Sequence, residues 1–106
     1  MGPSEHQTAE DKRWIEAIVD FGCIACTLDG YPGTPPCVHH IVDFGRRMGH
    51  RFSLPLCPGH HQHDSTSGKI ALHPGRSKAF IAAYGTELQL LHRLETLLGF
   101  DHVGGI

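Results

Sequence analysis

The sequence predicts a single α+β domain, a short β-hairpin and short helix held between longer helices, and three observations lead there. The chain has 106 residues, 40% of them apolar, which suits one domain and excludes a large multi-domain enzyme. Apolar residues recur at helical spacing near both ends, whereas the middle holds short β-type runs broken by Gly and Pro. Four cysteines and ten histidines are present. A chain this short buries only about 60–65% of the surface its unfolded form exposes, so the apolar core is marginal and a staple is expected. The histidines favour a metal over disulfides as that staple.

Residues 1–8 are polar and expected to be frayed, although Thr8 to Asp11 has a capping pattern. A first helix follows over residues 9–21, with Trp14, Ile15, Ile18, Val19 and Phe21 at helical spacing and Gly22 as its stop. From Cys23 to Pro36 the composition predicts an irregular loop closed by its cysteines. Val38–Val42 and Arg51–Leu56, separated by Gly45 and Gly49, predict a hairpin. Pro58 opens a helix that carries His60, His61 and His63 before Ser67-Gly68 ends it. Two helices are expected over residues 76–98. The first has Phe80, Ile81 and Tyr84 on one side and stops at Gly85; the second is capped by Thr86-x-x-Gln89. Its stripe of Leu88, Leu91, Leu94 and Leu98 reads as core packed against the first helix.

No apolar run reaches the about 20 residues needed to span a membrane, and no signal peptide is evident, so a reducing cytoplasm is expected. The net charge of −2 conceals an asymmetry. Residues 31–80 hold six basic side chains against Asp43 and Asp64, a local charge of +4, together with seven of the ten histidines. That coincidence suits a polyanion better than a neutral metabolite, the competing reading being a solvated basic face.

Cys23-x2-Cys26 and the later Cys57-x2-His60 have the spacing of a tetrahedral zinc site, with a knuckle and a helix start giving two ligands each. Cys37 is either an alternative to His60 or a small buried hydrophobe. Successive helical positions differ by about 100°, so His60 can face one ion and His61 another. His39 and His40 point to opposite faces of an ideal strand and share one site only if the strand end is irregular.

The order of these residues resembles the zinc-knuckle branch of the HNH (ββα-metal) endonucleases. More closely, His39-His40-Ile41, Gly45-Arg46, His50, Leu54-Pro55-Leu56-Cys57, His60-His61-Gln62, Ala71-Leu72-His73-Pro74 and Tyr84-Gly85-Thr86 resemble the phage recombination-enhancement (Ref) nucleases, which act on DNA with the RecA filament. The resemblance runs from about Cys23 to Leu91. It implies a zinc-stapled ββα-metal core over residues 23–73 with flanking helices, in a bacterial cytoplasm. Cys23, Cys26, Cys57 and His60 would hold a structural Zn²⁺, and His39, His61 and His73 a catalytic divalent ion (Mg²⁺, Mn²⁺ or Zn²⁺). It also implies His40 as general base and Arg46, Arg47 and Arg51 as contacts to flanking phosphates. The chain has no asparagine, so the middle letter of the HNH pattern is not Asn; His50 stands nearest that place. The competing class is a non-catalytic zinc module that binds nucleic acid or protein, for which the surplus of histidines has no use.

Overall fold

The structure is a computed structural model that describes residues 7–43, 46–61, 69–73 and 77–103. The elements run α1 (Ala9–Phe21), α2 (Ile24–Leu28), β1 (Cys37–His40), β2 (Val42–Asp43), β3 (Arg46–Arg47), β4 (Ser53–Leu56), α3 (Pro58–His61), α4 (Ser77–Tyr84) and α5 (Glu87–Leu98). The fold is α+β, as expected. Expectations placed on residues 1–6, Gly45, the stretch from Gln62 to Gly68, Pro74 and Arg76 lie outside the described residues.

Helix α1 begins where the Thr8 hydroxyl accepts from the Asp11 N–H and the Asp11 carboxylate accepts from the Thr8 N–H, so Thr8 is held by a reciprocal cap. It ends at Gly22, with φ of 94°, where a Cβ would lie 3.0 Å from the Thr34 carbonyl oxygen. Only glycine combines that backbone with that approach. The adjacent Cys23 N–H then donates to the Thr34 carbonyl at 2.9 Å and turns the chain. Here the structure departs from the expected loop: Cys23 caps the short helix α2, its sulfur accepting from the Cys26 N–H at 3.4 Å.

Strands β1 and β4 form the expected antiparallel pair, with His39 opposite Leu54 and His40 opposite Ser53. A second small ladder, Val42 with Arg47 and Asp43 with Arg46, projects beyond it. All four residues of β4 are buried. Helices α1, α2 and α5 all pack on this strand. The Trp14 indole N–H donates to the Ser53 carbonyl at 3.1 Å, fixing α1 to it. The stripe on α5 is therefore turned from the expected one: Leu90, Leu91 and Leu94 are buried, while Leu88 is exposed. Likewise Val19 on α1 and Ile81 on α4 face outward.

Arg51 corrects the expectation that it contacts phosphate. It is 6% exposed, its guanidinium lies 4.1 Å from the Trp14 ring centre, and its Nη2 donates to Glu95 at 2.8 Å and to the Asp101 carbonyl at 3.0 Å. The same Glu95 oxygen accepts from the Val103 N–H at 2.9 Å, so one buried ion pair ties the β3–β4 connection to the chain beyond α5. Removing one partner of such a pair leaves an uncompensated buried charge. Arg51→Ala should therefore lower stability by about 3–5 kcal/mol, measured by urea unfolding with the metal supplied. A loss within the ordinary surface range of about 0.5 kcal/mol would show that the pair is not buried in solution.

Candidate metal centre and active site

Two donor clusters meet at α3. The first joins Cys23 and Cys26, at the start of α2, to Cys57 and His60, at the β4–α3 junction; all four are buried. The Cys26 and Cys57 sulfurs are 3.7 Å apart, and His60 Nδ1 lies 3.5, 3.4 and 3.4 Å from Cys23, Cys26 and Cys57. A tetrahedron built on zinc bond lengths separates two sulfurs by about 3.8 Å and sulfur from nitrogen by about 3.6 Å. These four separations match the edges such an ion requires, and all four donor atoms lie within 4.8 Å of one another. All cysteines are free thiols, and Cys37 is exposed and outside this shell; it is neither a ligand nor a buried hydrophobe.

The surroundings prepare these atoms. Tyr84 donates its hydroxyl proton to Asp29 at 2.8 Å, so its oxygen accepts from His60 Nε2–H at 3.1 Å. That assignment leaves the Nδ1 lone pair facing the sulfurs, the tautomer a ligand needs. Burial, with the Asp29 carboxylate beside it, pushes the Tyr84 phenol upward and keeps it a donor. Burial likewise holds His60 below its ordinary value, against the opposing pull of Asp29. Among the thiols, burial pushes Cys23 up to about 12. Burial also raises Cys57, but the His60 N–H and Lys69, whose Nζ is 3.2 Å from the sulfur, outweigh it and hold that thiol below its ordinary value. With a divalent ion bound, three thiolates would leave one negative charge, which the Lys69 ammonium would offset.

The second cluster is His39 from β1, His61 from α3 and His73. Their rings lie 5.0–5.7 Å apart, and the group runs from buried His39 through half-buried His61 to exposed His73. His73 is held in place by its N–H donating to the His61 carbonyl at 3.1 Å, alongside Leu72 N–H to the His60 carbonyl at 2.8 Å. Burial, then the neighbouring His39 and His73, depress His61 and keep it neutral. Three imidazoles with one side open to solvent can hold a divalent ion and leave positions for other ligands.

Sequence reasoning missed the carboxylate behind this cluster. Glu87, in the first turn of α5, accepts from His39 Nε2–H at 2.7 Å, which leaves the His39 Nδ1 lone pair for a metal. Such outer carboxylates orient the ring and raise its basicity. Their only sequence signal was an acidic residue directly after the Thr86 cap, which reads as a favourable helix-dipole contact and nothing more.

His40 is the last residue of β1 and pairs with Ser53, so alternation along the regular ladder turns its side chain away from that of His39. Its Nε2 lies 3.1 Å from His50 Nδ1. Burial, then Arg47, His50 and His39, lower its pKa and favour the neutral ring. Arg46 and Arg47 are exposed on β3.

Two expectations follow from this geometry. Cys26→Ser should lose the ion of the four-donor cluster and the cooperative thermal transition with it, because metal binding energy is folding energy in so small a domain; Cys37→Ser should retain both. Bound metal counted by mass spectrometry beside a melting curve decides this, and loss of the ion from Cys37→Ser would mean a different ligand set. Glu87→Ala should weaken Mn²⁺ binding at the histidine cluster by about 10–100-fold, read by electron paramagnetic resonance, without changing the metal held by the cysteines. An unchanged Mn²⁺ affinity would remove Glu87 from this role.

The sequence model of a family described as "Recombination enhancement, RecA-dependent nuclease" matches residues 7–99, a span that includes every residue of both clusters and both capped helices. The chain belongs to the recombination-enhancement, RecA-dependent nuclease family.

Proposed function

We propose that this chain is a metal-dependent endonuclease of the HNH type that hydrolyses DNA phosphodiester bonds in recombination, on DNA presented by a RecA filament. The observation that carries the reading is the pairing of a closed four-donor cluster with an open three-histidine cluster through the adjacent residues His60 and His61. A binding module stapled by one ion would need the first cluster only. The cysteines and His60 would hold a structural Zn²⁺; His39, His61 and His73 would hold a divalent ion. When bound there, that ion supplies Lewis-acid stabilisation of the extra charge in phosphodiester hydrolysis.

The chain's own groups fill the other roles. From the resemblance, His40 is the general base; it ends β1 directly after His39, and this reading requires the substrate to reach both faces of that strand end. In the tautomer that donates Nε2–H to His50 Nδ1, 3.1 Å away, His40 keeps its Nδ1 lone pair to take a proton from water. Burial and the Arg47 guanidinium, which lower its pKa, keep that lone pair free near neutral pH. Glu87 keeps the His39 ring aimed. Arg46 and Arg47, on the exposed β3, contact flanking phosphates, which positions the strand without reading sequence. Arg51 has no part in this, being committed to Glu95.

Plasmid nicking with Mg²⁺ or Mn²⁺, with and without a RecA filament, tests the activity. His40→Ala should keep the fold and both metal contents while cleavage falls by about 10²–10⁴-fold. Cleavage at the parent's rate would refute the assigned base. A parent that cuts under none of these conditions would return the chain to the class of zinc-bound interaction modules.

A further inference from the structure

Beside the histidine cluster lies an apolar groove with a cavity of about 360 Å³ that the nuclease reading leaves unexplained. Its floor is Ile41 and Leu72, both buried. Its rim is Val42, Ile81 and Leu88, exposed by 54%, 44% and 40%. Large apolar side chains left in water around a concavity mark a contact surface.

Position says what the contact is. Ile41 lies two residues after His39 and Leu72 precedes His73 in the chain, and Glu87, which holds His39, also lines the groove. One end therefore abuts the three histidines. On the other side Val42 pairs with Arg47, so the rim continues into the exposed arginine ladder. A strand with one phosphate at the histidines and another at Arg46–Arg47 would pass along this groove, which is lined by Glu87, the partner of His39, and by Val42, the partner of Arg47. A protein segment seated there would lie against Leu72 and Glu87, next to His73 and His39, and crowd the approach of the strand to the cluster.

We infer that the groove seats one nucleobase of the strand being cut, next to the scissile phosphate. The inference rests on the nuclease reading and adds a substrate preference to it. Enzymes that receive extruded bases hold them between apolar or aromatic side chains and read their edges with a few polar groups. Here Ile41, Leu72, Ile81 and Leu88 supply the apolar walls, and Thr86 and Glu87 the polar end. A base stacked in a duplex cannot enter, so the preferred substrate is unpaired or distorted at this nucleotide.

The test is an abasic scan. Oligonucleotides with a single abasic residue moved stepwise across the cleaved bond are cut by the full-length protein with Mn²⁺, with and without RecA. One position beside the bond should lower kcat/KM by about tenfold, the order expected for one base held against side chains. Ile81→Asp/Leu88→Asp changes exposed residues only. It should lower kcat/KM on intact DNA by a similar factor and abolish the dependence on that position, with metal content and melting temperature unchanged. A flat scan for an active parent overturns the inference whether or not the variant folds. A flat scan together with a variant defective only in the presence of RecA would assign the groove to the protein partner instead. A parent that cuts none of the oligonucleotides fails at the nuclease reading itself, and the base seat falls with it.

Discussion

The molecule depends on the four donors Cys23, Cys26, Cys57 and His60. They join the turn after α1 to the end of β4, the buried strand on which α1, α2 and α5 all pack. The apolar core is built around the same place: Ile24, Ala25 and Leu56 are chain neighbours of the donors, Leu54 lies three residues before Cys57, and all four are fully buried. Burying three thiols and an imidazole side by side without compensation would be costly, and the high pKa of Cys23 expresses that cost. The geometry fits an ion that converts this liability into the domain's principal cross-link.

Once His60 is fixed, His61 has little freedom. Both backbone N–H groups donate to the Cys57 carbonyl, at 3.0 and 2.8 Å, and the two rings leave α3 about 100° apart. The first site thereby orients the second. The corner between α4 and α5 supports both from behind: Tyr84 steadies His60, and Glu87, three residues later, steadies His39. Gly85 makes this corner possible. Its φ is 104°, and a Cβ would lie 3.0 Å from Gln89 Oε1, the atom that accepts from the Thr86 N–H to cap α5. A side chain at residue 85 would thus disturb the cap that sets the direction of Glu87.

What could be read from the sequence was what local chemistry determines. The caps at Thr8 and Thr86, the Cys-x2-Cys and Cys-x2-His spacings, and the angular separation of His60 from His61 each depend on residues a few positions apart. What escaped depends on distant partners. Arg51 looks like a surface cation until Glu95, 44 residues later, is brought against it. Glu87 is 48 residues from His39, and Asp29 is 55 from Tyr84. Helix α2 was missed for a related reason: Thr, Gly and Pro around it signal a loop, but the Cys23 sulfur caps the turn and the clustered ligands hold it in place. The α5 stripe shifted from Leu88 to Leu90 because the helix leans on β4, and periodicity alone cannot tell which edge of an apolar face turns inward.

The burial of Arg51 also changes the electrostatics of the face that carries the histidines. Of the three arginines around the hairpin, one is neutralised inside the fold, and Arg46 and Arg47 remain as exposed cations beside His40. Two phosphate contacts correspond to a salt slope of only about 2 on duplex DNA, and the chain as a whole carries −2. Neither feature supplies a strong independent grip on a polyanion. Arrangements that bind DNA tightly on their own use many more such contacts, and their affinity is mostly counterion release. A nuclease with this charge distribution gains most from a partner that already holds the strand, because the partner then bears the electrostatic and ordering costs of bringing DNA to the histidines. Dependence on RecA, the property by which the family is described, is the behaviour this distribution of charge favours.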